Sequence, residues 1–281
     1  MAVVGDGWIG MEVAASARSM GLDVTVVGRS VHPSAVCSGR SSARCTGRST
    51  RTTGAPAPQR PGRRDHGERG RVSGVDMHDG THVEADVVVV GVGVTPNVGF
   101  AEAAGITLRD RSLGGGLAVD ATLRTSAPTC GPPGTSRASL AALRAPLRVE
   151  HWSVALETGP HVARAMLGSR EPYDKLPYFF SDQYDVGMEY LGFVEDPAET
   201  EVVVSGSLES NELVAFWVAG DRVQAGMAVN TWEQMERVEE LVGRRARSAG
   251  TPWRRSAADR TRRPCYGTSR WACPRTGSAV G

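Results

Sequence analysis

Three glycines, Gly5, Gly7 and Gly10, stand in the segment GDGWIG between the apolar triplet Ala2-Val3-Val4 and a stretch able to form a helix. In a strand, turn and helix, G-x-G-x-x-G spacing has a mechanical meaning. Gly5 permits the tight turn, Gly7 leaves room for a pyrophosphate against the backbone, and Gly10 lets helix and strand approach closely. The helix N-terminus then offers amides and the positive end of its dipole to the phosphates. The chemistry this implies is binding of a dinucleotide such as a nicotinamide cofactor. An acid expected where the second strand ends, to take the adenine ribose hydroxyls, is absent: Gly28 stands there, followed by Arg29. Arg29 has two readings, a partner for the 2′-phosphate of NADP or a solvated loop arginine. Glu12 reads either as a helix-favouring surface charge or as a carboxylate bordering the nicotinamide. Nothing in the spacing of His151 makes it a general base.

The elements that must position these residues follow from periodicity. Ala2 to Val4 reads as a strand, Gly5 to Gly10 as a turn, Met11 to Met20 as a helix and Leu22 to Val27 as a second strand, giving a βαβ opening. Arg71 to Met77 and His82 to Val90 read as strands around the turn-like Asp79-Gly80, and the aliphatic end of the second suits a buried parallel strand. Val119 to Arg124 suggests a further strand. Val154 to Leu167 reads as a helix, Tyr184 to Val194, Glu201 to Leu208 and Glu212 to Val218 as strands, and Thr231 to Val242 as an amphipathic helix.

Other stretches carry no such pattern. From Ser34 to Gly70 the only large aliphatic residue is Val36, and Thr125 to Pro146 and the segment after Gly243 are rich in Arg, Ser, Pro, Gly and Ala. They lack a face to bury and read as disordered or irregular. Lys175 is the only lysine against a combined Lys and Arg count of 32, the signature of G/C-biased coding. Such a gene read in a wrong frame yields this composition, so 34–70, 127–146 and the tail read as out-of-frame translation.

With 281 residues, 40% of them hydrophobic, the chain can bury one large or two modest cores. A formal net charge of +1 argues against a polyanion binder, and the arginine-rich 34–70 stretch lacks the aromatic residues that would stack on bases, so no nucleic acid is expected as partner. No apolar run reaches the ~18 residues of a membrane span, and the N-terminal residues lack a secretory pattern, so a cytoplasmic protein is expected. Five cysteines without a C-x-x-C pair indicate neither a disulfide framework nor a redox dithiol. Cys37, Cys45, His32 and His66 fit no zinc finger spacing.

Beyond the glycine motif the chain resembles the FAD-dependent ferredoxin reductases of oxygenase systems, within the pyridine nucleotide-disulfide oxidoreductases. The resemblance runs through VVGDGWIGMEVAASARSMGLDVTVV, ADVVVVGVGVTPN and GLAVDATLRTSAP, and is most specific in LRVEHWSVALETGPHVARAMLG and PYDKLPYFFSDQYDVGMEYLG. It implies an α/β fold: a Rossmann-like three-layer nicotinamide-binding domain over 1–98 with the irregular 34–70 insert, a remnant of the FAD-binding domain over 99–172, a small α+β reductase C-terminal domain over 173–243, and a tail over 244–281. It assigns Gly5, Gly7, Gly10 and Glu12 to the nicotinamide site, with Gly91, Gly93, Pro96 and Asn97 near it. Glu150, His151 and Trp152 match the segment that approaches the flavin, although Trp152 by itself reads as a packing residue. The implied cofactors are FAD and NAD or NADP, and the implied partner is a 2Fe-2S ferredoxin or similar small electron carrier. The sequence departs from the family in opening at the nicotinamide unit and in placing Thr129-Cys130-Gly131-Pro132-Pro133-Gly134-Thr135 where Ala-Gly-Asp is expected, so weak retention of FAD is expected.

Overall fold

The structure, a computed structural model, describes residues 1–28, 51–54 as backbone only, 71–77, 80–111, 114–127, 148–194 and 196–243. The irregular 34–70 stretch (apart from the backbone of 51–54), Arg29, all five cysteines, the 129–135 segment and the tail from 244 lie outside the described residues.

The opening unit is β1 (Ala2–Val4), α1 (Trp8–Ser19) and β2 (Thr25–Gly28). The helix starts at Trp8 rather than at Met11, because Gly7 at φ −79°, ψ −179° caps it in an extended conformation and Trp8 already takes the first helical turn. Met11, Ala14 and Ala17 recur on one face of α1 and pack on Val3, Val24 and Val26. β3 (Arg51–Gly54) pairs parallel with β2, and β6 (Val88–Val90) pairs parallel with β1, so the sheet order is β3-β2-β1-β6. All three residues of β1 are buried, so both faces of the sheet are covered at its centre, as a three-layer arrangement requires.

The expected strand from His82 to Val90 divides in two. β5 (His82–Glu84) pairs antiparallel with β4 (Gly74–Asp76), while β6 joins the parallel sheet. Nor is its aliphatic run fully buried, since Val87 is 51% and Val90 65% exposed. Val119 to Arg124 forms no strand: the Asp120 carboxylate accepts the Thr122 and Arg124 amides and the Thr122 hydroxyl, folding the segment into a turn with Leu123 at φ +65°.

After α2 (Gly99–Ala103), α3 (Trp152–Met166) is the long helix of the chain's middle. Arg124 caps its far end, donating from Nη2 to the Ala165 and Ser169 carbonyls at 2.7 and 3.0 Å. The C-terminal part is one antiparallel sheet built from β7 (Tyr178–Gln183), β8 (Val186–Gly192), β9 (Glu201–Ser207), β10 (Glu212–Ala219) and β11 (Arg222–Val229), in the order β7-β8-β11-β10-β9. A 3-10 turn over Trp232–Gln234 precedes α4 (Met235–Gly243), so the expected helix from Thr231 to Val242 is shorter than its sequence pattern. Val238, Leu241 and Val242 of α4 lie on Val214, Phe216, Val218 and Val223. Gly226 makes that approach possible, because a Cβ there would stand 2.6 Å from Val238 Cγ1.

Candidate functional site

In the order β3-β2-β1-β6 the chain leaves β1 in one direction to β2 and reaches β6 on the other side, so the switch point of the sheet lies between β1 and β6. Ligands in open α/β sheets bind at the carboxyl ends of strands flanking such a point. Gly5 follows β1 there and Gly91 follows β6. The Gly5 amide donates to Val27 O at 2.8 Å and the Gly91 amide to Val4 O at 2.7 Å, which locks the two strand ends side by side.

The three glycines are glycines for three different reasons. Gly5 has φ +118°, and a Cβ on it would run into the Gly91 carbonyl, 2.7 Å from its carbon. A Cβ on Gly10 would collide with the Gly5 carbonyl oxygen and lie 3.0 Å from its carbon, so close contact of α1 with the turn depends on the bare backbone. Gly7 is different: a Cβ there meets no atom within 4 Å, and its backbone is one any residue adopts. No steric contact among the described residues requires a glycine at position 7, where it serves as the helix N-cap. The first turn of α1 has neither a side-chain cap on Gly7 nor an acidic residue, so the positive end of the helix dipole is not offset from within that turn.

The remaining sequence-derived residues fall at two levels. Gly91 contacts the glycine turn directly, whereas Gly93, at φ +110° with open space around it, half-buried Pro96 and exposed Asn97 follow on the loop leaving β6. Glu12 is not a surface charge without a partner. Ser181 on β7 donates to its Oε1 at 2.7 Å, and Gln183 Nε2 donates to the Ser181 hydroxyl at 3.2 Å. Trp8 of α1 meets Phe179 of β7 edge-on at 5.4 Å, and the His151 ring lies 4.5 Å from the same Phe179. Phe179 thus joins the glycine turn's helix, the first strand of the C-terminal sheet and the start of α3. Sequence reasoning placed neither Phe179 nor Ser181 in the site; both stand in PYFFSDQY, where mixed aromatic and polar residues hide the alternation of a strand.

Glu150, His151 and Trp152 gather at the N-terminus of α3. Glu150 forms an ion pair with Arg148, whose Nε also donates to Gly114 O at 2.6 Å. Burial pushes the His151 imidazole down from 6.5 to about 4, against the opposing pull of the Glu150 charge and a hydrogen bond with the Tyr178 backbone. At neutral pH the ring is neutral, and its Nδ1 is buried with no hydrogen-bond partner among the described residues. His151 as N-cap provides no side-chain cap for α3, whose first turn also lacks an acidic residue. Trp152 is 67% exposed, with only an edge contact to Phe180 at 6.4 Å, so it is not a core packing residue.

Two surfaces that could hold ligands therefore lie to either side of Phe179. The β1–α1 turn fits the pyrophosphate of a nicotinamide dinucleotide. The uncapped start of α3 with the orphaned Nδ1 of His151 fits the polar edge of a flat, hydrogen-bonding ring such as that of FAD. Among the described residues no group of His, Cys, Asp and Glu is placed to hold a metal, and no helix is long and apolar enough to cross a membrane.

Residues 1–130 match the family described as pyridine nucleotide-disulphide oxidoreductase, and residues 178–260 match the reductase C-terminal family. Over residues 1–130 the chain carries the pyridine nucleotide-disulphide oxidoreductase pattern. It is 34% identical over 261 residues to the ferredoxin–NAD(+) reductase component of the anthranilate 1,2-dioxygenase system of Burkholderia cepacia, covering 86% of this chain and 58% of that protein. It is 28% identical to putidaredoxin reductase of Pseudomonas putida, covering 86% of this chain and 57% of that protein. The crystal structure of the ferredoxin reductase for the CYP199A2 system from Rhodopseudomonas palustris superposes with a TM-score of 0.66 at 32% identity, over 82% of this chain and 55% of that one. In the covalent putidaredoxin reductase–putidaredoxin complex the TM-score is 0.72 at 28% identity, over 87% of this chain and 58% of that one. The chain spans little more than half the length of these relatives.

Proposed function

We propose that this chain carries the nicotinamide-binding and C-terminal parts of a reductase that passes electrons from NAD(P)H through FAD to a small 2Fe-2S ferredoxin. The observation that carries the reading is Gly7: open space beside a helix start with no side-chain cap, at the switch point of a parallel sheet, framed by two glycines the fold itself requires. The relatives named as ferredoxin reductases supply the electron acceptor class.

In this reading the α1 amides and the positive end of the helix hold the dinucleotide pyrophosphate, with Gly5 and Gly10 keeping the turn narrow enough for them to converge. Gly91, Gly93, Pro96 and Asn97 border the nicotinamide end. Glu12, fixed by Ser181, holds α1 against β7 and so sets the distance between the glycine turn and Phe179. The neutral His151 ring and the first amides of α3 would hold the flavin's polar edge. Bound FAD supplies the conversion of a two-electron nicotinamide reaction into one-electron steps suited to an iron–sulfur centre. The protein's task is alignment and exclusion of water, which needs no acid–base triad.

The test is anaerobic titration of the purified, FAD-supplemented chain with NADH and NADPH, following flavin absorbance. Nicotinamide-dependent bleaching, and onward reduction of an added 2Fe-2S ferredoxin, is the expected result. Saturable dinucleotide binding with no flavin reduction would replace the proposal with a noncatalytic dinucleotide-binding role.

A further inference from the structure

The second strand ends on a glycine where an acid would bind the adenine ribose, and the structure shows why a glycine has to stand there. Gly28 is buried, and a side chain on it would collide with the carboxyl group of Asp6. Asp6 lies between Gly5 and Gly7 in the dinucleotide turn. Its Cγ and Oδ2 fill the space into which a residue at position 28 would project. The Gly5 amide bonded to Val27 O at 2.8 Å ties the turn to the end of β2, and the Cβ of Asp6, which no rotamer moves, is itself among the atoms a Cβ at position 28 would meet. The absent acid at 28 and the acid at 6 are therefore one exchange: the carboxylate enters the same space from the neighbouring loop.

We propose that Asp6 is the residue that selects NADH over NADPH, acting as the ribose-side carboxylate in place of the strand-end acid. The inference rests on the dinucleotide reading given above and extends it to the choice of cofactor. A carboxylate at this point accepts hydrogen bonds from the ribose 2′- and 3′-hydroxyls. It repels a 2′-phosphate, which brings two further negative charges into a half-buried space. The only basic residue next in sequence, Arg29, is the rival determinant and would give the opposite preference.

The measurement is equilibrium binding of NADH and of NADPH to the full 281-residue chain by calorimetry, with no flavin required. Thermal midpoints are followed to confirm that each variant is folded. The wild type should bind NADH at least about tenfold more tightly than NADPH, the scale of one unfavourable charge contact. Asp6→Asn keeps the shape and removes the charge, and should bring the two affinities within about threefold, chiefly by strengthening NADPH binding. The double variant D6G/G28E removes the whole side chain at position 6, its Cβ included, returns a carboxylate from the strand side into the vacated space and should recover the NADH preference. Equal affinities in the wild type, or a preference unchanged in Asp6→Asn, would overturn the proposal. So would an NADPH preference that Arg29→Ala abolishes. If neither nucleotide binds the folded wild type, the dinucleotide reading itself falls, and the assignment of Asp6 falls with it.

Discussion

The Ser181 hydroxyl donates to the Glu12 carboxylate at 2.7 Å, tying the helix of the glycine turn to the first strand of the C-terminal sheet across 169 residues of sequence. Ser181 is 1% exposed and also accepts from Gln183, which is 2% exposed. Its replacement by alanine withdraws a partner from both groups. A loss of about 1–3 kcal/mol is expected on denaturant unfolding, the range for removing one side of a buried polar contact. Glu12→Gln retains an acceptor oxygen for the hydroxyl and should cost less than about 1 kcal/mol, whereas Glu12→Ala should resemble the serine variant. A double-mutant cycle between positions 12 and 181 should give a coupling of at least ~0.5 kcal/mol. Additive losses would mean the two parts are held together elsewhere.

His151 gives the fold a pH dependence with a defined sign. Its imidazole titrates near 6.5 when unfolded and, because burial disfavours the cation, near 4 in the native state. Between those values the unfolded chain binds more protons, so stability is full above about 6.5 and declines as the pH falls, the loss being complete once pH passes below about 4. Thermal midpoints of the wild type and of His151→Asn, compared from pH 7 to pH 4, should converge or cross as the wild type loses this increment. Direct titration of the ring by NMR should place its midpoint far below 6. A midpoint at the ordinary value would remove the basis for a neutral, buried ring at the α3 terminus.

Gly10 sets two effects of opposite sign against each other. Alanine in a helix interior gains up to about 1 kcal/mol over glycine in propensity. At this position, however, the new methyl meets the Gly5 carbonyl, which is backbone and has no rotamer by which to withdraw. Overpacking of that kind costs about 1–3 kcal/mol or more. The collision should win, with Gly10→Ala lowering the unfolding free energy by at least ~1 kcal/mol. A stabilised variant would show that α1 does not sit as close to β1 as described.

Much of this was legible in the sequence where a pattern has a single physical cause. The G-x-G-x-x-G spacing yielded the β1–α1–β2 unit, and the short apolar runs from Glu201 and Glu212 yielded β9 and β10 to within a residue or two. The misses have local reasons. β11 contains Gly226 and Gln224, which break the alternation; it is held as a strand by β8 and β10 on its two sides, and Gly226 is bare where Val238 of α4 approaches. Residues 119–124 have strand-forming side chains, but Asp120 takes the amides that a ladder would need. Around the candidate site, Gly5 and Gly10 were readable because a positive φ and a close backbone approach leave a mark on residue type, whereas Gly91 came from the family resemblance alone. Ser181 and Phe179 were not readable, since each meets a neighbour far away in sequence, and a serine carries no sign of which neighbour it will meet.

Gly7 decides the central claim, that the β1–α1 turn is a dinucleotide site. Its φ of −79° and the absence of any atom within 4 Å of an added Cβ mean that Gly7→Ala should fold as the wild type does. The small loss expected is that of alanine at a helix N-cap, about 0.5–1 kcal/mol. A methyl group in that space displaces the pyrophosphate from the α1 amides, and each charge-assisted hydrogen bond lost is worth ~1.5–3 kcal/mol, so NADH affinity should fall at least ~tenfold. The measurement is calorimetric binding of NADH to the wild type and to Gly7→Ala, with thermal unfolding of both in parallel. The account predicts saturable one-to-one binding by the wild type and its loss in a variant that remains folded. A folded Gly7→Ala that binds NADH as tightly as the wild type would contradict it.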